Sequence, residues 1–466
     1  MTRRRLWTLG VVAGVALACV AAPPASAATT KAAALNMRLV GHHDLGNRGF
    51  NADVFVHRSY AYIGSWGFQD WSGGGENRFC PDDAHSGIEV VDARAPARPT
   101  VVAKLQNPSG TSAEDVVVFT ARYGPLAGRD IAVSGIQTCG GSRYDPSLFR
   151  GLQVWDVTDP AHPAEIGRLN TGCCTRGIHE LEVQHRTDLG RTYVYASVPA
   201  SEYPDGASPT GRRDQLGRGD FRLIDITDPG QPAEVSNWGV VHDLGGPPAP
   251  GLGCDPDPIY GHSAEPSADG KLAFLSYWDS GFIAVDVTDP AHPVFRGRTV
   301  YPTTADGDAH SSNYDEARRL LFGADEDFCK TSGSGTEKGY GYLRVYDYSD
   351  LAHPVQIGDY RTPNSLGTND QGAGDYVIHN PLLVGIDVYA SWYSDGVRVI
   401  DTTNPTAPRE VAYFVPPSEN NPVSPSQRGV LNNATQVWGV AVDEATGLIY
   451  LSDMNSGLWI VQRTDT

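Results

Sequence analysis

The stretch GLQVWDVTDPAHP, residues 151–163, returns as GFIAVDVTDPAHP at residues 281–293. Before the first aspartate, Val, Ile and Leu residues alternate with variable ones, a pattern that is typical of a half-buried β-strand. The Thr-Asp-Pro that follows predicts a turn, because proline presets φ and an aspartate side chain accepts hydrogen bonds from nearby backbone N–H groups. The repeated stretch therefore predicts a strand that ends in a chain reversal.

The same pattern occurs at nearly regular distances along the chain. Further copies are GIEVVDARAPARP (87–99), DFRLIDITDPGQP (220–232), YLRVYDYSDLAHP (342–354) and GVRVIDTTNPTAP (396–408), and GLWIVQRTDT (457–466) is a truncated seventh. The aligned copies place six aspartates in one column: Asp92, Asp156, Asp225, Asp286, Asp347 and Asp401. Their intervals of 64, 69, 61, 61 and 54 residues are typical of stacked or radial repeats.

Each unit has sequence for four short strands, of which HELEV and TYVYASV (179–183 and 192–198) are a clear example of the first two. Seven such units predict an all-β fold, a seven-bladed β-propeller. Residues 36–46 match the strand that normally follows a unit, and the last unit lacks that strand. We therefore expect an N-terminal strand, residues 37–41, to close the last blade beside residues 457–461 and to remove two open sheet edges.

The aspartate column is interpreted as scaffold, because a residue needed once for chemistry would not recur at the same turn in six of seven copies. The same reasoning applies to three histidines in the Ala-His-Pro turns, which we expect to be exposed: His162, His292 and His353.

These units resemble the LVIVD repeat of a bacterial and archaeal family of exported or surface propellers. The resemblance extends over residues 36–466 and rests on seven copies of the pattern. It implies a propeller fold and export, and it implies no particular catalytic residues.

The N-terminus has the features of a signal peptide. Three arginines at 3–5 precede an apolar run, Leu6–Ala22, and Ala25-Ser26-Ala27 is typical of a cleavage site. The sequence predicts a signal peptide at 1–27, a flexible leader at 28–35 and the propeller at 36–466. No later segment holds eighteen apolar residues, so we expect no membrane span. With the signal peptide removed, we expect a secreted protein, and we expect it to be a monomer.

Charge and cysteine content limit the possible partners and indicate the compartment. Removal of residues 1–27 takes away three arginines and no acid, so the formal net charge falls from -19 to -22, which argues against nucleic acid or an anionic membrane as a partner. Six cysteines remain, and disulfides are expected in an oxidising compartment, with the pairing left open. They are Cys80, Cys139, Cys173, Cys174, Cys254 and Cys329.

Function is expected where the copies differ. The loop between the second and third strands is long in units one, two, three and five, and these loops emerge on the same face as the connections between blades. We expect this face, stapled by disulfides, to bind a ligand that the sequence does not identify: a small molecule, a sugar or a protein. Acidic clusters at 255–257, 306–308 and 325–327 are candidates for calcium on the loop face, although solvated acidic surface is the simpler interpretation.

The second difference is a histidine at the start of the innermost strand in four adjacent units: His179, His262, His310 and His379. These positions surround the mouth of the central channel, so the imidazoles are candidate ligands for Zn, Cu or Fe. Glu180 and Glu114 are candidate proton carriers or additional ligands. A structural role, in which each histidine bonds within its own blade, remains the alternative. The two functions left open are a secreted binding protein and a metal-dependent enzyme, an oxidoreductase or a lyase.

Overall fold

A computed structural model describes most of the chain. The described residues are 32–69, 78–140, 145–172, 175–199, 201–202, 218–251, 257–303, 305, 307–328, 339–366, 374–417 and 434–465. The predicted signal peptide at 1–27 lies outside them, as do four of the cysteines: Cys173, Cys174, Cys254 and Cys329.

Seven four-stranded antiparallel sheets surround a central channel, which confirms the seven-bladed β-propeller. We call the strands of each blade A to D from the channel outward. The A strands are Asn51–His57, Val116–Thr120, Leu181–Arg186, Ser263–Pro266, Ala309–Asp315, Pro381–Val384 and Val437–Asp443. The B strands are Tyr60–Ser65, Asp130–Thr138, Arg191–Ser197, Leu272–Tyr277, Leu320–Asp325, Asp387–Ser391 and Leu448–Asp453. The C strands are Ile88–Asp92, Gly151–Asp156, Phe221–Asp225, Gly281–Asp286, Leu343–Asp347, Val397–Asp401 and Gly457–Arg463. The D strands are Thr100–Leu105, Ala164–Asn170, Ala233–Trp238, Val294–Arg298, Val355–Tyr360, Arg409–Val415 and, for blade 7, Met37–His43.

Smaller elements decorate this frame. Phe68–Gln69 pairs with Arg78–Phe79, and Thr111–Ser112 pairs with the B strand of blade 2. Helical structure in the described residues amounts to one α-helix, Val240–Leu244, and one 3-10 turn, Leu45–Asn47. No helix in this part of the chain has the length and apolar character needed to cross a membrane.

The repeated stretch forms a C strand and the turn that leads to D. Gly151 and Gly281 begin their C strands with φ of 138° and 81°, a region that other residues rarely adopt. A Cβ at Gly151 would lie 2.1 Å from the Leu169 carbonyl oxygen of the D strand. The glycine that leads the repeat is therefore required by the close approach of C and D.

The aspartate column caps the C–D turn, as the scaffold interpretation expects. All six carboxylates accept a hydrogen bond from the backbone N–H two residues ahead, at 2.8–3.0 Å. The three Ala-His-Pro histidines are exposed, with 80–83% of each side chain accessible, and each ring contacts the aspartate three residues earlier. These features recur because every blade needs the same turn.

Apolar side chains fill the spaces between neighbouring blades. Between blades 2 and 3, for example, Val133 and Val154 of one sheet pack in one buried cluster with Val194 and Ile224 of the next. Because each sheet buries both faces in this way, the ring holds the seven A strands rigidly around the channel.

The N-terminal strand closes the ring as predicted. Met37–His43 lies antiparallel to Gly457–Arg463, and the His42 ring stacks on Trp459 with centroids 3.8 Å apart. The end of the predicted leader is also ordered: Ala33–Leu35 pairs with Arg409–Val415 as a fifth strand of blade 6. This pairing satisfies backbone groups at an edge that would otherwise be open, whereas residues 28–31 lie outside the described part of the chain.

The B–C loops and the connections between blades share one face, because alternate turns of an antiparallel blade emerge at the same end. On that face Cys80, in the B–C loop of blade 1, is bonded to Cys139, which follows the B strand of blade 2. The disulfide joins two neighbouring blades, in agreement with the expectation of stapled loops.

Candidate metal centre

The four histidines of the column lie at the loop-face end of their A strands, and the backbone holds each in place. The N–H groups of His179, His262 and His379 donate to the B strand of the same blade, to Ser197, Ser276 and Ser391, at 2.8–2.9 Å. In blade 5 the register shifts between Ala309 and Ser311, so His310 occupies a β-bulge. A bulge re-aims a side chain, and here the His310 ring lies between its two neighbours in the column.

The structure brings all four imidazoles together as a row. Ring centroids are 4.3 Å apart for His179 and His262, 3.7 Å for His262 and His310, and 4.3 Å for His310 and His379. All four side chains are buried. Purely structural histidines would be expected to splay into separate blades, and these four rings do not.

Two groups in this row, each of two histidines and one glutamate, have ligand atoms within 4.8 Å of one another. The first contains Glu180, His262 and His310, and the second contains His310, Glu326 and His379. His310 belongs to both, whereas His179 lies outside both. The arrangement is therefore two adjoining three-residue groups rather than one four-histidine site.

Hydrogen bonds assign the protons on two of the rings. The His379 Nδ1 atom lies 2.8 Å from the Trp438 carbonyl oxygen, which can only accept, so Nδ1 carries the proton and Nε2 keeps its lone pair. The Ser311 hydroxyl donates to the His379 carbonyl at 2.8 Å and therefore accepts from His310 Nδ1 at 3.1 Å. Nε2 of His310 is then also unprotonated.

Both unprotonated nitrogens face the same carboxylate. Glu326 Oε2 is 3.4 Å from His310 Nε2, and Glu326 Oε1 is 3.8 Å from His379 Nε2. The Tyr393 hydroxyl donates a hydrogen bond to Glu326 Oε1. Lone pairs of two imidazoles and a carboxylate thus point into one space, which is the donor set of a transition-metal site.

The other end of the row has a related arrangement. His179 Nδ1 contacts the acceptors Glu114 Oε2 and Gln137 Oε1, so it carries the proton, and His179 Nε2 accepts from His262 Nε2 at 2.7 Å. Nδ1 of His262 is left with a lone pair 3.8 Å from Glu180 Oε1, and neither atom has a hydrogen-bond partner among the described residues. Glu114 therefore orients His179, while Glu180 is placed to act on His262.

Burial sets the charge of the cluster. Loss of hydration lowers the pKa of all four imidazoles well below the ordinary value of 6.5, so they are neutral at neutral pH and available as ligands. Burial also raises the pKa of Glu114 to about 8 and raises that of Glu180, which neighbouring carboxylates raise further. These two candidate residues can therefore hold a proton near neutral pH.

Aromatic residues from the short B–C turns brace the row. Trp278 and Tyr393 have positive φ values of 31° and 37°, which bulky residues rarely adopt. Each makes a pair of backbone hydrogen bonds with the first residue of the next A strand, Ala309 or Val437. Trp278 lies 5.6 Å from the His262 ring, so the strained turns fix the positions of the cluster residues.

Sequence reasoning missed Glu326. It lies in the acidic cluster at 325–327, which was interpreted as a candidate calcium site or as solvated surface. The structure contradicts the solvated interpretation, because all three side chains are buried. Asp325 instead accepts from the Tyr301 hydroxyl at 2.6 Å and pairs with Arg344, while Glu326 faces the histidines. The available signal was its position at the end of a B strand, beside the start of the next A strand.

The described residues define a seven-bladed β-propeller with a buried histidine–glutamate cluster at the mouth of its channel. Within this class, the LVIVD repeat family matches residues 149–171 and 261–300, which include both copies of the stretch that opened the sequence analysis. The chain thus contains LVIVD repeats in these two segments. No curated protein matches it significantly in sequence. Among solved structures, the computationally designed Ika8 protein aligns with a TM-score of 0.45 and 9% identity, over 91% of this chain and 97% of that one.

Proposed function

We propose that the protein is a metal-dependent enzyme, an oxidoreductase or a lyase, with a transition-metal centre at the mouth of the propeller channel. The observation that carries the proposal is the convergence of two imidazole lone pairs and a carboxylate: His310 Nε2, His379 Nε2 and Glu326. In a buried space a cation would stabilise this grouping, because lone pairs and carboxylate oxygens repel one another.

The residues present fit Zn, Cu or Fe. Three protein ligands of nitrogen and oxygen type leave a coordination position for water or substrate, as catalytic sites require. His262 and Glu180 adjoin the same space through the shared His310 and would complete or extend the ligand set. A transition metal held there would supply Lewis-acid or redox chemistry.

The protein's own part in such a reaction is proton handling and orientation. Glu180 bears a raised pKa and has one carboxylate oxygen without a hydrogen-bond partner among the described residues, so we assign to it the role of proton carrier. Glu114 contacts and orients His179, and its own pKa of about 8 lets it bind or release a proton near neutral pH. Both roles rest on groups that face the histidine row.

Elemental analysis of the purified protein tests the metal centre. We expect wild-type protein incubated with Zn²⁺, Cu²⁺ or Fe²⁺ and then desalted to retain close to one ion per chain. His310→Ala and Glu326→Gln should lower the affinity at least tenfold, because each removes a ligand. His353→Ala is the matched control: this histidine belongs to the same blade and is exposed on the opposite face. Equal retention by His310→Ala and His353→Ala, or no retention by the wild type, would exclude the centre.

A second candidate function is binding of a small molecule, a sugar or a protein on the loop face, in an exported protein. It is favoured by the disulfide between Cys80 and Cys139, which ties the loop regions of two blades together on that face. The calcium predicted for the loop face belongs to this proposal. Export is tested by mass spectrometry of protein recovered from the culture medium: a chain that begins near Ala28 supports it, and an intact N-terminus contradicts it.

A further inference from the structure

A cavity lies in the channel directly beyond the histidine row. Its volume is about 290 Å³, and all seven A strands line it. Blades 1 to 4 contribute five carboxylates: Asp53, Asp115, Glu180, Glu182 and Glu265. Asp53, Asp115 and Glu180 each come one residue after the position of their blade that aligns with the histidine column. Glu182 and Glu265 come two residues further along their strands, about 7 Å deeper, since a strand rises about 3.3 Å per residue.

The lining does not balance this charge. It contains no lysine, arginine or histidine, and the other three blades add only Ser311, Ser312, Asn313, Asn380 and apolar residues. Neutral donors reach four of the carboxylates: the Asn380 amide reaches Asp53 at 3.1 Å, the Leu181 N–H reaches Asp115 at 2.8 Å, the Asn313 amide reaches Glu265 at 3.2 Å, and the Val183 N–H reaches Glu182. Burial raises the pKa of all five acids, to about 7 for Asp115 and about 8 for Glu182, so without a cation, bound protons must offset the charge that these donors do not.

A separate observation indicates a missing partner in this cavity. Ser312 is 6% exposed, it lines the cavity, and its Oγ atom has no hydrogen-bond partner among the described residues. A buried polar atom without a partner costs free energy unless something occupies the space around it.

We propose that the channel cavity binds a hydrated alkaline-earth cation, Ca²⁺ or Mg²⁺. The donors are carboxylate, amide and hydroxyl oxygens, which hard cations prefer, whereas the nitrogen-rich histidine row above them suits transition metals. In the described residues, the groups of three acids, histidines or cysteines that approach within 4.8 Å all belong to the histidine row. The ion in the cavity therefore keeps part of its water shell, and the volume accommodates it together with several waters.

This site is distinct from the proposed transition-metal centre, although Glu180 adjoins both. The test therefore changes the two deeper acids, which take no part in the histidine row. Glu182→Gln with Glu265→Gln keeps the shape of both side chains and removes two charges. Glu316→Gln with Glu444→Gln is the matched control, because both of these glutamates are exposed in A–B turns and neither lines the cavity.

Calorimetric titration of metal-free protein with CaCl₂, and separately with MgCl₂, at physiological ionic strength measures the binding. We expect one saturable site in the wild type and in the control, at least tenfold weaker binding in the Glu182/Glu265 double variant, and unchanged retention of the transition metal in all three. The stronger of the two titrations identifies the cation. No saturable binding by the wild type, or equal binding by the double variant, would overturn the proposal without affecting the histidine centre.

Folding of the double variant provides an independent readout. Without a cation the two substitutions relieve repulsion between buried carboxylates, so the metal-free variant should melt at or above the temperature of the metal-free wild type. A variant that melts lower, or that does not fold, would show that these carboxylates stabilise the fold by themselves and would contradict a cation site.

Discussion

At the scale of single residues, repetition and exception separate structural from chemical roles. The aspartate of each C–D turn accepts the same backbone hydrogen bond in six blades, so its recurrence reflects a turn that every blade must make. The histidine column occurs in only four blades, and there the rings converge. A residue type that recurs in nearly every blade thus has a structural role, whereas one that occurs in only some blades is a candidate for a chemical role.

Asp401 provides a test of the structural role. Hydrogen bonds from Thr403 and then Arg409 hold the pKa of Asp401 at about 2, below its ordinary value of 3.8. A depressed pKa means that the carboxylate stabilises the fold above about pH 4, and that this contribution is lost as the pH falls towards 2. Asp401→Asn keeps an acceptor for the Thr403 N–H but loses the charged partner of Arg409, so it should lower the free energy of unfolding by about 1 kcal/mol at pH 6.

Denaturant titrations at pH 6 and pH 3 measure this effect. The difference between wild type and Asp401→Asn should shrink at pH 3, and Asp359→Asn, which changes an exposed aspartate elsewhere in the protein, should show no such trend. A difference that stays the same at both pH values would contradict the role assigned to the carboxylate.

The sequence alone predicts the four histidines of the site, but not the glutamate, Glu326, that faces two of them. Position in the repeat placed the four rings at one mouth of the channel, because aligned residues of a propeller share a height along the axis. The contact of Glu326 with His310 depends instead on a β-bulge in the A strand of blade 5 and on how the B strand of the same blade ends beside it. Such local irregularities leave no periodic signal, so the acid was visible only as part of an acidic run.

At the scale of elements, the fold depends on strands that are distant in sequence. The D strand of blade 7 comes from the N-terminus, and six residue pairs join it to the C-terminal strand. The seven-unit period and the strand missing from the last unit predicted this closure. The added strand Ala33–Leu35 was not predicted, because three small or apolar residues carry no pattern and their pairing depends on the open edge of blade 6.

Truncation distinguishes the two N-terminal strands. A chain that begins at Asp44 lacks the closing strand, and at about 0.5 kcal/mol for each of the six cross-strand pairs we expect it to lose about 3 kcal/mol of unfolding free energy. A chain that begins at Asn36 lacks only Ala33–Leu35, whose residues are exposed, and should lose less than about 1 kcal/mol. Chemical denaturation of both chains measures the losses. Equal losses would show that the closing strand adds no more to the free energy of unfolding than the short strand Ala33–Leu35.

At the scale of the whole molecule, the two proposed sites would place two kinds of cation chemistry along the channel axis. Blades 4, 5 and 6 would supply nitrogen ligands at the loop-face mouth, and blades 1 to 4 supply carboxylates just inside it. No single blade holds all the residues of either site, since each blade contributes only one or two side chains to it. A ligand in the channel therefore ties together elements that are otherwise connected only through contacts between neighbouring blades.

This arrangement predicts that a transition metal stabilises the ring as a unit. An ion that binds only the folded state adds about 2.7 kcal/mol to the free energy of unfolding when its free concentration is a hundred times the Kd. Differential scanning calorimetry should show a higher melting temperature with the metal than with a chelator for wild type and for His353→Ala, but not for His310→Ala. Because His310 is shared by both three-residue groups, its loss should abolish the shift, whereas Glu180→Gln should only reduce it. An equal shift in His310→Ala would mean that the metal binds elsewhere on the protein.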